Sequence, residues 1–329
     1  MQTTLLMFVK HRQLSLVATS RLFTKKFMKL SVIITSKNEP LLIKRAIKSV
    51  GRQLSDKYDY EILVIAPDSA TRQSARECGQ KHGFELTVLS DPATAKVKGK
   101  PAALNYAFSK VTGDFILLTD GDVYLDKYAV KNLLKKFADP RVGIVSGRIV
   151  PVNSRNSMLG YWAHLLSFVG AHRHKVLKER NKKFFGASGY FYGIRREALL
   201  KLPEDSLDDA VLSSLIYQKG YRIAYAPNAR VLVVFPTTFS DWCKQKVRNL
   251  VGNIKMRTDL DLETDRTVTK EAREGLLGSL RFARGFKENV WTLLLIAARL
   301  RAWLQAYWIS NVQKLNFMKT WVPVESTKR

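Results

Sequence analysis

Two carboxylates with one glycine between them follow an apolar run near the middle of the chain. Residues 115–118 predict a buried parallel strand, and Asp120, Gly121 and Asp122 come at its carboxyl end. An extended backbone places the side chains of Asp120 and Asp122 on the same side, and Gly121 lets a ligand approach closely. Open α/β sheets bind ligands at the carboxyl ends of their strands, and Mg²⁺ takes carboxylate, water and phosphate oxygens. The spacing therefore favours a metal–diphosphate site.

The same tripeptide has a second interpretation. Asp-Gly-Asp sequences are common in turns, so a turn with solvated carboxylates would account for these three residues on their own. The choice between a metal site and a plain turn depends on which groups the rest of the chain places around them.

Composition sets broad limits on the class of protein. The chain has 329 residues and is 46% apolar, enough for a sizeable core in one large domain or two smaller ones. The chain has 55 Lys and Arg residues against 28 Asp and Glu residues, which gives a net charge of +27. This charge favours a polyanionic partner, either an anionic membrane surface or nucleic acid. Two lone thiols, Cys78 and Cys243, fit a reducing compartment and suggest neither a disulfide framework nor a zinc site.

The N-terminal extension, residues 1–29, differs in composition from the rest of the chain. No acidic residue precedes Glu39, and basic residues recur in an apolar stretch that contains Ser and Thr. This composition is typical of an organellar transit peptide or a basic amphipathic membrane helix. The alternative is that translation starts at Met28, since the globular pattern begins only at Leu30.

The elements ahead of the carboxylate pair alternate between strands and helices. Pro40 and Pro101 suit the first turns of two helices, and a polar helix is predicted to run to about His82. Strands with helical crossovers predict an α/β fold with a doubly wound, mostly parallel sheet and helices on both faces. The four predicted strands of this half are residues 30–35, 61–66, 84–89 and 115–118.

The second half continues this pattern and ends in amphipathic helices. We predict a catalytic domain over residues 30–257, followed by a linker and a C-terminal amphipathic segment over residues 258–329. Further strands are predicted at residues 142–150, 221–226 and 230–235, a loop and strand at 184–194, and helices at 157–180, 207–219 and 239–257.

The final helix, predicted near residues 286–312, has two interpretations. Its longest uncharged apolar stretch, residues 290–298, is much shorter than the roughly 20 residues that span a bilayer. Trp291, Arg299 and Trp308 interleave aromatic and basic groups, which is typical of a helix that lies in a membrane interface. A helix docked on the domain explains the same pattern.

Several spaced segments between residues 30 and 257 form one pattern: residues 31–39 (SVIITSKNE), Asp68, residues 99–105 (GKPAALN), residues 120–122 (DGD), Asp208 with Asp209, and residues 245–249 (QKVRN). They resemble the segments of glycosyltransferase family 2, a GT-A family. Their common order and spacing, more than any one of them, carry the resemblance. Two positions depart from the family pattern: Asp208 stands where a Glu is usual, and Asn249 replaces a Trp that helps bind the acceptor in processive synthases. Because the sequence also lacks a transmembrane bundle that could carry a growing polymer, we expect a non-processive enzyme.

The resemblance implies an inverting hexosyltransferase that moves a sugar from a nucleotide diphosphate to an acceptor hydroxyl. It implies that Asp122 holds Mg²⁺ or Mn²⁺, with Asp120 on the ribose or in the metal shell, and that Asp209 is the general base. Gln245 and Arg248 would complete the catalytic group, with Arg248 as a clamp on the phosphates. The residues that would bind the nucleotide sugar are Asn38, Glu39, Asp68, Lys100, Asp120, Ser188 and Gly189.

Plainer roles exist for the same residues. Asp209 would also suit a helix N-terminus, where a carboxylate accepts free backbone N–H groups. Glu39, Asp68 and Lys100 could be solvated loop charges, and the glycine-rich aromatic segment at 184–194 could be core.

The expected partners depend on the charge and the resemblance. We expect a nucleotide sugar, a lipid-linked or glycan acceptor, and an anionic membrane surface, with the protein in the cytoplasm on the inner face of the cell membrane. A nucleotidyltransferase is the alternative enzyme, but the loop after the first strand lacks the glycine-rich basic sequence it would need. A nucleic-acid-binding protein is disfavoured because no helix-turn-helix, RNP or zinc pattern is present. The sugar, the base and the oligomeric state stay open.

Overall fold

The fold is described from a computed structural model. It covers residues 28–54, 58–90, 99–264, 278–315, 317–320 and 324–327, together with residues 267, 269, 271 and 322. The N-terminal extension was predicted over residues 1–29, and its residues 1–27 lie outside the described residues. The strands are β1 Lys29–Thr35, β2 Asp59–Ile65, β3 Leu86–Leu89, β4 Phe115–Asp120, β5 Tyr124–Leu125, β6 Val142–Pro151, β7 Phe191–Arg195 and β8 Arg222–Val233. The helices are α1 Leu42–Leu54, α2 Ser69–His82, α3 Lys100–Phe108, α4 Ala129–Leu134, α5 Met158–Leu165, α6 His174–Arg180, α7 Asp208–Gln218, α8 Phe239–Thr258 and α9 Phe286–Tyr307.

Strand β1 is central to the N-terminal half of the sheet. Its centre is formed by the β-branched apolar residues 32–34, and side chains such as Ile33 and Ile34 are fully buried. β1 pairs in parallel with β2 on one side and with β4 on the other. In the second pairing Thr35 is opposite Asp120, so the loop after β1 and the carboxylate pair after β4 lie at the same edge of the sheet.

The sheet has eight strands in the order β3-β2-β1-β4-β7-β6-β8-β5. Four of its seven strand pairings are parallel, and β7 runs antiparallel between β4 and β6. Apolar residues of α1 pack on one face and those of α3 and α7 on the other, giving two separate core clusters. The predicted doubly wound, mostly parallel α/β sheet with helices on both faces is confirmed.

Strand β8 corrects one detail of the prediction. We expected two strands, at 221–226 and 230–235, because Pro227 and Asn228 suggest a break. The structure has one strand, Arg222–Val233, and its pairing with β6 shifts register between Ser146 and Arg148. The extra residues form a bulge, which keeps the strand continuous past the proline. The short strand β5, at the sheet edge beside β8, was not predicted.

The predicted helix at 157–180 forms, but it is not uniform. Its middle, Leu166–Arg173, is π-helical and joins α5 to α6 without a break in the chain direction. π-helical turns are rare in proteins, and those that do occur are often found at functional sites. This segment lines the same cleft as the carboxylate pair after β4.

The C-terminal helix α9 packs against α5 and α8. Small residues, Ala298, Ala302 and Ala306, are buried on its inner face and let the helices approach closely. The Nε1–H group of Trp162 donates to the carbonyl of Trp291 at 2.7 Å. Across the residues that the structure describes, every helix is too short or too polar to cross a bilayer. The division into domains at residues 29 and 257 stays a prediction.

Candidate active site

The floor of the site is formed where β1 and β4 end. The hydroxyl of Thr35 donates to Asp120 Oδ1 at 3.0 Å, and the Gly121 N–H donates to the Thr35 carbonyl at 2.7 Å. A Cβ atom at Gly121 would overlap the Ser36 side chain, so a glycine is needed for the two loops to lie this close. The carboxylate pair is therefore held against the loop after β1.

Lys100, at the start of α3, lies between two carboxylates. Its Nζ donates to Asp120 Oδ1 at 2.7 Å and lies 3.2 Å from Asp208 Oδ2, an ion pair whose orientation does not make a hydrogen bond. Burial alone would lower the pKa of Lys100, but the charges of Asp120 and Asp208 hold it well above its usual value. The ammonium group links the carboxylates after β4 to those at the start of α7.

Asp122 faces the same cleft as Lys100. Burial and then the neighbouring charge of Asp120 raise the pKa of Asp122 to about 6, against the opposing effects of Lys100 and Arg248. One oxygen of Asp120 is already engaged by Thr35 and Lys100. A cation bound here would offset the repulsion between the two carboxylates.

Asp209 lies at the start of α7 and is held by two backbone donors. Its Oδ2 accepts from the Gly189 N–H at 2.6 Å, and its Oδ1 accepts from the Ala210 N–H at 2.8 Å. Burial and the charge of Asp208 nevertheless raise the pKa of Asp209 to about 6. The carboxylate thus accepts one backbone N–H of the first turn of α7, in line with the plainer interpretation, and its raised pKa also lets it titrate close to neutral pH.

Asp122 and Asp209 open into one cleft of ≈ 1410 Å³. Had they opened onto opposite sides of the molecule, a shared reaction at the two carboxylates would have been impossible. The structure instead brings the predicted site residues around a common space. Those that line the cleft are Asn38, Glu39, Lys100, Asp120, Asp122, Ser188, Gly189, Asp209, Gln245 and Arg248.

The loop after β1 is shaped by Asp68. Asn38 has a left-handed backbone (φ 56°), and its N–H donates to Asp68 Oδ2 at 2.7 Å. Asp68 also caps α2 by accepting from the Thr71 N–H at 2.8 Å, and these hydrogen bonds lower its pKa although burial opposes them. Asp68 is not among the residues lining the cleft. In this structure it positions Asn38 and Glu39, whose Oε2 accepts from the Ser36 hydroxyl at 2.7 Å.

Helix α8 supplies the opposite wall. Arg248 is partly buried, and burial lowers its pKa against the attraction of Tyr190 and the nearby carboxylates. Gln245 is buried; its Nε2 donates to the hydroxyl of Tyr190 at 3.3 Å, while its Oε1 has no hydrogen-bond partner among the described residues. An unpartnered buried amide oxygen beside a polar cleft suits a ligand hydroxyl.

Two cleft residues were missing from the predicted site. Tyr190 lines the cleft, its hydroxyl accepts from Gln245 Nε2, and burial and then the charges of Asp122 and Asp120 raise its pKa. Lys175 is buried, and its Nζ donates to Ser146 Oγ at 2.7 Å, which in turn accepts from the Ser188 N–H at 3.1 Å. The glycine-flanked aromatic stretch pointed to Tyr190, but no local pattern pointed to Lys175, which reaches the site only through the fold.

The donor set for a metal is small. Among the described residues, no group of three or more His, Cys, Asp or Glu side chains is arranged to hold a metal ion. Asp122 and the second oxygen of Asp120 fit a hard cation that keeps water and binds through substrate phosphates. The residues present therefore fit Mg²⁺ or Mn²⁺ in the presence of a diphosphate.

This fold, with carboxylates from two parts of the chain meeting over one cleft, is that of a GT-A glycosyltransferase. The sequence model of glycosyl transferase family 2 matches residues 31–202, and the chain belongs to that family. The predicted family is confirmed.

Two curated relatives illustrate the similarity. A probable glycosyltransferase, YdaM, of Bacillus subtilis (strain 168) is 28% identical over 236 residues, covering 70% of this chain and 56% of the relative. An N-acetylglucosaminyltransferase of Rhizobium meliloti (strain 1021) is 25% identical over 253 residues, covering 70% of this chain and 57% of the relative. The matches thus span little more than half the length of these relatives.

One solved structure has the same fold over most of its length. The mannosyltransferase PcManGT from Pyrobaculum calidifontis, in complex with GDP-Man and Mn²⁺, superposes with a TM-score of 0.60 at 21% identity. The superposition covers 88% of this chain and 87% of that one.

Proposed function

We propose that this protein transfers a sugar, with inversion, from a nucleotide diphosphate to a hydroxyl group of a lipid-linked or glycan acceptor. The observation that carries the proposal is the meeting of Asp122 and Asp209 in one cleft, each with its pKa raised to about 6. Asp122 faces the part of the cleft where the diphosphate would bind. Asp209 lies at the start of α7, next to the Asp208 that pairs with Lys100.

The chemistry depends on these positions. Asp209 would accept the proton of the acceptor hydroxyl, whose oxygen then bonds to the anomeric carbon as the bond from that carbon to the diphosphate oxygen breaks. The nucleoside diphosphate leaves with the bonding electron pair. Lys100 and Arg248 place positive charge where this leaving group gains negative charge. The hydrogen bonds from Gly189 and Ala210 fix the direction of the Asp209 carboxylate.

Mg²⁺ or Mn²⁺, when bound, supplies charge neutralisation for the diphosphate. Asp122 would hold it, with the second oxygen of Asp120. The Mn²⁺ and GDP-Man named with the Pyrobaculum calidifontis structure support a divalent cation and a nucleotide sugar here. Asn38 and Glu39, on the loop that Asp68 positions, lie where the nucleoside would contact the protein.

We also propose that the enzyme works at the inner surface of the cell membrane, in the cytoplasm. The net charge of +27 supports attraction to anionic lipid. The outer face of α9 supports it further, because that face leaves large apolar side chains exposed.

A nucleotide-sugar screen tests the proposal. Thermal unfolding is measured with a panel of UDP-, GDP-, ADP- and dTDP-linked sugars, with and without Mn²⁺. A donor present at 100 times its Kd should add about 2.7 kcal/mol to the free energy of unfolding, and only with the metal. The Asp122→Asn variant, measured in parallel, should lose the metal-dependent part. Absence of metal-dependent stabilisation by every nucleotide sugar would contradict the proposal.

A further inference from the structure

Lys175, on α6, is a buried cation that the proposed reaction does not use. It is 5% exposed, and its Nζ donates to Ser146 Oγ on β6 at 2.7 Å. The ammonium group also lies 5.9 Å from the centre of the Tyr225 ring, whose face attracts a cation. Burial of an ammonium group costs free energy that an apolar side chain of similar size would not. A lysine at this position therefore needs an explanation beyond packing.

The hydroxyl group of Ser146 uses all of its hydrogen-bonding capacity. Ser146 is fully buried, and its Oγ donates to the Gly147 carbonyl at 3.2 Å. The same oxygen accepts from Lys175 Nζ and, at 3.1 Å, from the Ser188 N–H. Because an ammonium group can only donate, it turns the hydroxyl proton away from itself and leaves the second lone pair for Ser188. Lys175 therefore fixes the direction in which Ser146 accepts.

Residues 187–189 are held by their three successive backbone N–H groups, and we call them the anchored loop. Each N–H group donates to a different side chain. The pairs are Ala187 with Ser213 Oγ at 2.8 Å, Ser188 with Ser146 Oγ at 3.1 Å, and Gly189 with Asp209 Oδ2 at 2.6 Å. The first and third acceptors belong to α7, whereas the middle acceptor belongs to β6. The bond from Ser188 to Ser146 thus sets how the loop lies between the sheet and the start of α7.

We propose that Lys175 is a positioning residue for the transfer reaction, acting through Ser146 and the anchored loop on the Asp209 carboxylate. This inference rests on the proposed function, because it concerns the base of that reaction. With Lys175 in place, Ser188 is fixed to β6 and the next N–H group, that of Gly189, is aimed at Asp209. Without Lys175 the Ser146 hydroxyl can turn, the loop loses its middle anchor, and the hydrogen bond from Gly189 weakens.

A purely structural role is the competing explanation. Lys175 would then tie α6 to β6, and its loss would lower stability without changing the surroundings of Asp209. The two explanations differ in what they predict for the Gly189 N–H group, because only a positioning role reaches that hydrogen bond.

The test observes this hydrogen bond directly, in the full chain and without substrate. Protein made with ¹⁵N-labelled glycine carries 18 labelled residues, and the Gly189 signal is identified by its absence from Gly189→Ala. A short hydrogen bond to a carboxylate shifts an amide proton downfield, and that shift follows the ionisation of Asp209. In Lys175→Met the Gly189 proton should move upfield. The pKa of Asp209, read from the same titration, should rise by about 0.5–1 pH unit, because a hydrogen bond to its charged form is weakened.

Three further variants separate position from charge. Lys175→Met also removes a positive charge, which by itself would raise the pKa of a nearby carboxyl. Ser146→Ala keeps that charge and removes the acceptor, so it should shift the Gly189 proton and the Asp209 pKa in the same directions. The double variant should shift them no further than the larger single change, since the two residues act in series. Arg180→Met removes an exposed charge from the same helix, at a residue that does not line the cleft, and should change neither.

Urea unfolding first shows which variants are folded. A folded Lys175→Met or Ser146→Ala with an unmoved Gly189 signal overturns the inference. Additive shifts in the double variant, or an equal shift in Arg180→Met, overturn it as well. If Lys175→Met does not fold, Ser146→Ala decides alone.

Nucleotide-sugar binding and transfer are measured on the same preparations, so the two hypotheses fail separately. Shifted Gly189 signals in a protein that binds no nucleotide sugar contradict the transferase proposal only. Transfer by the wild type, with unmoved signals in the variants, contradicts only the role of Lys175. If both hypotheses are right, kcat of Lys175→Met at pH 7 should be about tenfold below that of the wild type, because the base is displaced.

Discussion

Replacement of Asp209 by asparagine tests the proposed base most directly. The pKa of this carboxyl rises from 3.8 to about 6 because it is buried beside Asp208. At pH 7 about nine tenths of the groups are ionised and able to accept a proton, and at pH 5 about one tenth. Wild-type transfer should therefore fall roughly tenfold between pH 7 and pH 5, and the Asp209→Asn rate should fall by about 10²–10⁴ at every pH.

The same change has a calculable effect on stability. A carboxyl whose pKa is raised on folding destabilises the fold when it is ionised, so its cost is absent below pH 3.8 and complete above pH 6. At about 1.4 kcal/mol for each pH unit, that cost reaches about 3 kcal/mol at neutral pH. Asparagine avoids it but loses one of the two backbone hydrogen bonds, worth about 1–3 kcal/mol. We expect Asp209→Asn to be as stable as the wild type or slightly more stable at pH 7.5.

Two assays check these numbers. Transfer is followed with a radiolabelled donor found in the nucleotide-sugar screen, and stability is followed by urea unfolding at pH 7.5 and pH 4. The stability advantage of Asp209→Asn should shrink by about 2–3 kcal/mol at the lower pH. A variant that keeps more than a tenth of wild-type transfer, while the wild type shows no loss at pH 5, would refute the assignment of Asp209 as base.

Three further predictions concern the groups around that carboxylate. Lys100→Met leaves Asp120 and Asp208 without their shared cation, and we expect it to lose about 3–5 kcal/mol of stability at pH 7.5, measured by urea unfolding, and less at pH 5. Gly189→Ala places a Cβ 3.0 Å from Asp209 Oδ2; it should lower kcat at least tenfold, measured from initial rates at saturating donor. Arg248→Lys keeps the charge but loses the planar fork, and initial rates of transfer should fall by about 10–100-fold.

Each of these has its own control. Lys44→Met removes an exposed lysine that pairs with Glu77 and should cost less than about 1 kcal/mol; equal losses for the two lysine variants would contradict the role given to Lys100. Gly83→Ala should leave kcat unchanged, because Gly83 ends α2 and contributes nothing to the cleft. Arg248→Lys with full activity would show that charge alone is sufficient at that position.

Much of the N-terminal half of the fold could be predicted from the sequence. Short apolar runs such as those of β1 and β4, followed by polar turn residues, predict the type and order of the strands. The antiparallel direction of β7 could not be predicted, because a buried strand of five residues has the same pattern in either direction. The bulge in β8 escaped prediction because Pro227 normally ends a strand.

The site was predictable where it depends on local spacing and not where it depends on packing. The positions of Asp120, Asp122 and Asp209 are set by strand and helix ends. The link from Lys175 through Ser146 to Ser188 joins residues that are 29 and 42 positions apart in the chain. Such contacts depend on how β6, α6 and the loop before β7 pack together, and no sequence period encodes that arrangement.

The packing of α9 on α8 has a practical consequence for anyone who would work with the catalytic part alone. Val247, Leu250 and Val251 of α8 are buried against Ala302 and Trp303 of α9. On the same helix, Gln245 and Arg248 point into the cleft. A chain cut after residue 257 would expose the apolar face of α8 that packs on α9, while the opposite face of α8 lines the cleft. Truncation would therefore both lower solubility and disturb the positions of the residues that line the cleft. A soluble, active fragment must keep α9.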